Sequence, residues 1–244
     1  PKRMLAQVQT AVSLIYPARC LTCGELAAAG GGICGACWRE TPFIAGTVCD
    51  SCGVPLPGEA DHFRSDCDDC LASPRPWDAG RAALVYAGNA RRLVLALKHG
   101  DRSDIVRPAA GWMARAGAPL LAGDPLLAPV PLHWTRLIRR RFNQSALLAQ
   151  ALGRQAGLEV CPDLLIRRRR TPVLDGKSRE ARFRTMAGAL GVHPRRAARI
   201  KGRAVLLLDD VMTSGATLAA AALACRRAGA AELRVLVLAR VTKD

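Results

Sequence analysis

The sequence predicts an α/β fold, a mainly parallel sheet flanked by helices, preceded by a small cysteine-rich zinc-ribbon module. Three observations carry that expectation. Near the C-terminus, two segments that are apolar except for Arg234, Ala204–Leu208 and Leu233–Ala239, bracket an alanine-rich helical stretch, Ala216–Ala228. Near the N-terminus, eight of the ten cysteines form four Cys-x-x-Cys pairs: Cys20/Cys23, Cys34/Cys37, Cys49/Cys52 and Cys67/Cys70. Between the two regimes, at Ser73-Pro74-Arg75-Pro76-Trp77, paired cysteines and glycines give way to alternating strand-like and helix-like segments. This organisation divides the chain into an N-terminal amphipathic helix (1–17), a double zinc-ribbon module (18–76) and an α/β domain (77–244).

The opening segment carries Met4, Leu5, Val8, Val12 and Ile15 at helical spacing. Gln7, Gln9 and Thr10 interrupt it and no small-residue cleavage site follows, so a helix docked on the protein is expected rather than a secretory leader. No apolar run is long enough to span a bilayer. Without a secretion signal, the cysteine pairs are expected in a reducing cytoplasm, holding metal rather than forming disulfides.

Two residues between thiols suit chelation of a single ion. Pairing 20/23 with 34/37 and 49/52 with 67/70 gives two successive ribbon-like sites; a crossed arrangement, or one vacant site, is also compatible with the spacing. Four thiolates leave no open position, which makes the zinc structural. Glycines 24, 35 and 53 follow closely behind thiols, where the backbone must turn its amides towards sulfur. Cys161 and Cys225 stand apart, and Cys225 falls on the apolar side of a helix.

Beyond Trp77, Ala82–Tyr86 reads as a strand and Asn89–His99 as a helix with Leu93, Val94 and Leu97 on one side. Ile105–Ala116 reads as a second helix, Leu126–Val130 as a short buried strand, and Gln144–Gln155 as a helix with an apolar stripe of Leu147, Leu148, Ala151 and Leu152. The final strand–loop–helix–strand is a βαβ unit, which requires parallel strands. Its strands do not alternate polar with apolar residues, as befits strands covered on both faces.

The loop of that unit holds the chemistry. The apolar strand meets two adjacent carboxylates, Asp209 and Asp210, and the chain then reaches Thr213-Ser214-Gly215-Ala216-Thr217 at a helix start. Unpaired amides and the positive end of a helix dipole suit a phosphate, with Gly215 permitting close approach and the hydroxyls adding donors. Carboxylates would repel that phosphate, so they require a neutral or cationic partner. The 2′- and 3′-hydroxyls of a ribose meet the requirement, with a Mg²⁺ ion nearby. A plain helix cap explains the hydroxyls but not two acids ending an apolar strand.

The stretch Val205–Thr217 closely resembles the signature of type I phosphoribosyltransferases, and nearly the whole chain resembles the ComF family of zinc-ribbon, phosphoribosyltransferase-like proteins. Lys98 in Leu-Lys-His-Gly, Pro129-Val-Pro-Leu, Arg136 and the run from Arg139 to Gln144 fall in family order. The resemblance implies phosphoribosyl pyrophosphate as ligand, with Asp209 and Asp210 on the ribose and Thr213–Thr217 on the 5′-phosphate. It makes Pro131–Trp134, including Leu132 and His133, the pyrophosphate loop. Arg141, Leu174 and Thr185 depart from the family pattern. Members of the family are linked to DNA uptake, which brings in single-stranded DNA and proteins of the competence machinery as expected partners.

The formal net charge is +16, while residues 1–78 hold six Lys/Arg against nine Asp/Glu, so the α/β domain carries the whole basic excess. Its partner is therefore anionic. Arg136, Arg140 and Lys98 flank the expected pyrophosphate loop or sit in family motifs, and pyrophosphate demands cations or Mg²⁺. The polar stretch Asp175–Arg179 reads as a mobile loop bringing Lys177, Arg179 or Arg182 towards the site. Nucleic acid is the rival explanation for the basic patch. Asn143 and Gln144 are expected to start a helix and orient the preceding loop. Positioning and charge stabilisation suffice for phosphoribosyl transfer, so no protein nucleophile is nominated.

Overall fold

The computed structural model describes residues 17–27, 32–58, 64–99, 102–132, 142–169, 171–172 and 176–242. Except for Pro17, the segment expected to form the N-terminal helix lies outside them. Two short helices belong to the cysteine module, α1 (Gly35–Glu40) and α2 (Asp68–Ala72), each beginning directly behind a cysteine. The chain then runs β1 (Ala79–Val85), α3 (Gly88–His99), α4 (Val106–Ala116), α5 (Ala118–Leu121), β2 (Leu126–Pro129) and α6 (Gln144–Ala156). It continues through β3 (Leu165–Arg167), α7 (Arg179–Met186), β4 (Leu190–Val192), β5 (Ala204–Met212), α8 (Ala216–Arg227) and β6 (Glu232–Arg240).

The four longer-range strands form one sheet in the order β1-β6-β5-β2, with every neighbouring pair parallel. Strand alternation sorts their side chains between two cores. Val205 and Leu207 of β5, with Val235 and Val237 of β6, face the core that α8 covers through Leu218, Ala221 and Cys225. Leu206 and Leu208, with Leu236 and Leu238, face the core that α3, α4 and α6 cover through Leu93, Met113 and Leu148. Both faces are buried, which is why Val205–Leu208 of β5 and Val235–Ala239 of β6 are unbroken apolar runs.

β5 does not stop at Leu208. It continues to Met212, because its pairing with β6 extends to Met212 opposite Arg240. The two aspartates therefore belong to a paired strand rather than to the start of a loop. A second departure is the antiparallel pair β3–β4, with Leu165 opposite Val192, inside a segment whose arginine content reads as surface. The stretch behind Lys177 is also more ordered than its polarity suggests. Ser178 caps α7 by accepting a hydrogen bond from the Ala181 amide at 3.2 Å.

Neither sheet edge is left bare. The segment Pro42–Ile44 runs antiparallel along β1, with Ile44 N donating to Ala83 O (3.0 Å) and Val85 N to Pro42 O (2.9 Å). On the other side, Leu127 N donates to Glu159 O and Cys161 N to Leu127 O, both at 2.9 Å. The first of these edges ties the cysteine module into the sheet, and aromatic packing adds to it: Phe43 stacks on Trp38 and meets Trp112 of α4 edge-on.

The second half of the module is joined more closely. Gly80 N on β1 donates to Asp50 O at 2.7 Å, and Trp77 Nε1 donates to Ser51 O. A Cβ on Gly80 would stand 2.4 Å from Ser51 O and 2.8 Å from Val235 Cγ2. Gly80→Ala is therefore expected to destabilise the zinc-loaded protein by about 2–3 kcal/mol, since backbone must shift to admit one methyl. Chemical denaturation measures it, and an unchanged midpoint would refute the close contact.

Candidate functional site

Asp209 and Asp210 lie at the carboxyl end of β5, where ligands of open α/β sheets bind. Asp210 is buried, and its Oδ2 is 3.1 Å from Lys98 Nζ on α3. Asp209 Oδ1 accepts hydrogen bonds from Ser145 Oγ on α6 and from the Asp210 amide, both at 2.9 Å. Burial raises the Asp209 carboxyl to about 7, and Asp210 beside it pushes the same way, against the opposing pull of Ser145 and Lys98.

Ser145 is placed by Asn143. The Asn143 side chain donates to Val130 O at the end of β2 (3.0 Å) and accepts from the Ser145 amide (3.1 Å), capping α6. One asparagine thus fixes the start of α6 relative to the carboxyl ends of β2 and β5. Asn143 and Gln144 start the helix as expected, while the loop before them lies outside the described residues; Ser145 carries no such signal, since nothing in the local pattern ties a helix-start serine to an acid 64 residues away. Removing its hydroxyl in Ser145→Ala should raise the Asp209 carboxyl further. The pH at which Asp209 titrates, followed by NMR of the carboxyl carbon, is expected to move up by about one unit; no movement would refute the contact.

Thr213, Ser214 and Gly215 connect β5 to α8. Gly215 sits at φ +83°, a conformation that favours glycine, and directly precedes the first turn of the helix. A small cavity is lined by Asp209, Val211, Thr213, Ser214, Gly215 and Thr217. The loop carbonyls point away from it towards guanidinium groups: Arg240 Nη1 is 3.2 Å from Met212 O and 2.6 Å from Thr213 O, and Arg75 Nη1 is 2.9 Å from Ser214 O. Three successive carbonyls are occupied in this way, and of the helix-start amides that of Ala216 donates to Ser214 Oγ at 3.4 Å, a long contact that a phosphate oxygen could replace.

Of the remaining expected site residues, Leu132 follows β2 at the same end of the sheet, while His133, Arg136 and Arg140 lie outside the described residues. Lys177, Arg179 and Arg182 line a separate cavity of about 540 Å³ with Arg75, Ser214 and Arg240. Arg179 is held there by Asp69 of α2, at 3.4 Å. The described structure therefore brings the acids, the loop and Lys98 together, and sets the three cations of the polar stretch on the ribbon side of the loop.

The cysteines gather as two groups, Cys20/Cys23/Cys34/Cys37 and Cys49/Cys52/Cys67/Cys70, with all ligand atoms of a group within 4.8 Å of one another. This is the successive pairing, not the crossed one. The Cys23–Cys34 and Cys52–Cys67 sulfurs are each 3.7 Å apart, against about 3.8 Å for neighbouring corners of a zinc tetrathiolate with 2.3 Å bonds. Both groups fit a structural zinc, which would tie together distant turns of a module with little core of its own.

Sequence comparison agrees with both halves of this architecture. The double zinc ribbon domain family matches residues 11–71, and the phosphoribosyl transferase domain family matches residues 143–244. The class is thus a phosphoribosyltransferase-type α/β domain behind a double zinc ribbon. DNA utilization protein YhgH of Shigella flexneri is 33% identical over 234 residues, covering 93% of this chain and 99% of its own. The protein of the same name in Escherichia coli (strain K12) matches to the same extent. Competence protein F of Haemophilus influenzae is 28% identical over 228 residues, covering 91% of this chain and 96% of its own. The chain belongs to the ComF family. Among the described residues, no helix is long and apolar enough to cross a membrane.

Proposed function

We propose that the chain binds Mg²⁺-phosphoribosyl pyrophosphate and transfers its phosphoribosyl group to an acceptor, with release of pyrophosphate. The observation that carries this reading is the adjacency of two carboxylates on β5 to a helix-start loop whose carbonyls are turned away. The 5′-phosphate takes the amides and hydroxyls of Thr213–Thr217, while Asp209 and Asp210 accept from the ribose hydroxyls. Ser145 and Lys98 orient the two acids. Leu132, His133, Arg136 and Arg140 supply the pyrophosphate loop, and Lys177, Arg179 and Arg182 approach from the ribbon side. Bound Mg²⁺ would neutralise pyrophosphate as it leaves C1′. Positive charge then develops on the sugar, and the acids beneath the ring favour it electrostatically. Titration calorimetry with Mg²⁺-phosphoribosyl pyrophosphate tests the site; absence of binding at millimolar ligand would sink it.

A second reading concerns nucleic acid, and the two are compatible. The basic excess of the α/β domain and the names of the relatives, DNA utilization protein and competence protein, support single-stranded DNA as a partner. Binding through phosphates is expected to weaken steeply with salt. Fluorescence anisotropy with an oligonucleotide measures this, and weak binding even at low salt would count against it.

A further inference from the structure

We propose that Arg75 is a positioning residue that couples the second cysteine cluster to the phosphate loop, so that zinc at Cys49/Cys52/Cys67/Cys70 sets the order of residues 213–217. One guanidinium spans the two. Its Nε donates to Cys70 Sγ at 3.3 Å, and its Nη1 donates to Ser214 O at 2.9 Å. The group lies over the Trp77 ring, and Trp77 is itself fastened to Ser51 O, between two of the cluster's cysteines.

The loop is shaped to this contact. A Cβ on Gly215 would come within 3.2 Å of the Trp77 ring and 3.3 Å of Arg75 Nη1. The turn of the loop therefore rests directly on the segment leaving the ribbon, 139 residues earlier in the chain. Arg75 Nη2 is buried and has no hydrogen-bond partner among the described residues. A buried donor left unpaired carries a cost, and the guanidinium is held in place by its other contacts.

The strength of the sulfur contact depends on what the cluster holds. Four thiolates around a zinc ion carry a net charge of −2, so the Arg75 N–H then meets an anionic sulfur in a charge-assisted hydrogen bond. A bound zinc would hold Cys70 in place, and with it one end of an arginine whose other end holds the Ser214 carbonyl. Lysine cannot replace it, because one ammonium lacks the planar fork that reaches sulfur and carbonyl oxygen together.

The proposal rests on reading residues 213–217 as a phosphate cradle, but its first readout needs no ligand. Amide hydrogen exchange is measured on peptides spanning the loop in zinc-loaded, full-length wild type, Arg75→Ala, Arg75→Lys and Arg64→Ala. Arg64 contacts Ser51 and Asp66 of the same ribbon and serves as the control. Metal analysis runs in parallel, and Arg75→Lys carries the comparison if Arg75→Ala fails to retain zinc. Loop exchange is expected to rise about tenfold in both Arg75 variants, the scale of one lost charge-assisted hydrogen bond, and to stay at the wild-type rate in Arg64→Ala. Stripping zinc should raise loop exchange in wild type by a larger factor than in Arg75→Ala, because part of the wild-type response runs through the Arg75 contacts to Cys70 and Ser214.

Unchanged loop exchange in zinc-loaded Arg75 variants overturns the coupling, as does an equal rise in Arg64→Ala. Titration with Mg²⁺-phosphoribosyl pyrophosphate separates this from the proposed activity. If the loop responds but wild type binds no ligand, the ligand assignment falls and the coupling stands. If wild type binds and the Arg75 variants match it in affinity and exchange, the coupling falls alone.

Discussion

Asp209→Asn/Asp210→Asn is expected to bind Mg²⁺-phosphoribosyl pyrophosphate about a hundredfold more weakly than wild type, the equivalent of weakening two hydrogen bonds to charged acceptors. The Asp209→Asn change alone should have an opposite effect on stability, and that effect depends on pH. Burial and the adjacent Asp210 raise the Asp209 carboxyl from its usual 3.8 to about 7. A carboxyl raised on folding binds its proton more tightly in the native state. Its stabilising contribution is complete below about pH 4 and is lost as pH rises through about 7. Asparagine keeps an acceptor for Ser145 and has no charge to desolvate. At pH 8, Asp209→Asn should therefore melt roughly 5 °C above wild type, on the order of 2 kcal/mol, while at pH 4 the two should coincide. Under the proposed function ligand binding has the reverse preference, because ribose hydroxyls would donate to the ionised acid. Wild-type affinity should increase from pH 6 to pH 8 and Asp209→Asn affinity should not. A wild-type affinity flat across that range would refute the role given to Asp209.

The strands are legible because burial on both faces leaves a short apolar run rich in branched residues, unlike the alanine-rich run of α8. Val205 to Leu208 show it, each fully buried and alternating between two cores. The end of β5 was not legible, since hydrophobicity fails at Asp209 while pairing with β6 carries on to Met212. β3 and β4 are only three residues each and carry Arg167 and Gly191, too little pattern to mark a strand. The site was readable where it is local, in the acids and loop from Asp209 to Thr217. It was unreadable where it is assembled from distant segments. Ser145 carries no signal beyond the Asn143 cap. Arg75 sits in a Ser-Pro-Arg-Pro-Trp stretch that composition marks only as a change of regime, yet Arg75 and Trp77 form the floor beneath Gly215.

The same merging of module and domain makes the two cysteine clusters unequal. Cys49, Cys52 and Cys70 are buried in one continuous core with Val205, Leu207, Val235 and Val237 of the sheet. In the first cluster Cys20 and Cys37 are buried but Cys23 is exposed and Cys34 only partly covered, and its neighbourhood meets the α/β domain through Leu21 at the other core and through Trp38 and Phe43 on Trp112. A structural zinc is worth about 10 kcal/mol or more to the elements it ties together, so what its loss destabilises depends on what those elements touch. Cys52→Ser is expected to lose one zinc and to destabilise the sheet itself by at least about 3 kcal/mol, because the crosslink is gone and a serine hydroxyl then lies in the core beside β1. Cys23→Ser is expected to lose one zinc with less than about 1 kcal/mol of change in the sheet, the loosening being confined to the outer ribbon. Zinc content by metal analysis and hydrogen exchange of the β5 and β6 amides read the two effects separately. Equal protection of those strands in both variants would refute the view that the second ribbon is part of the core.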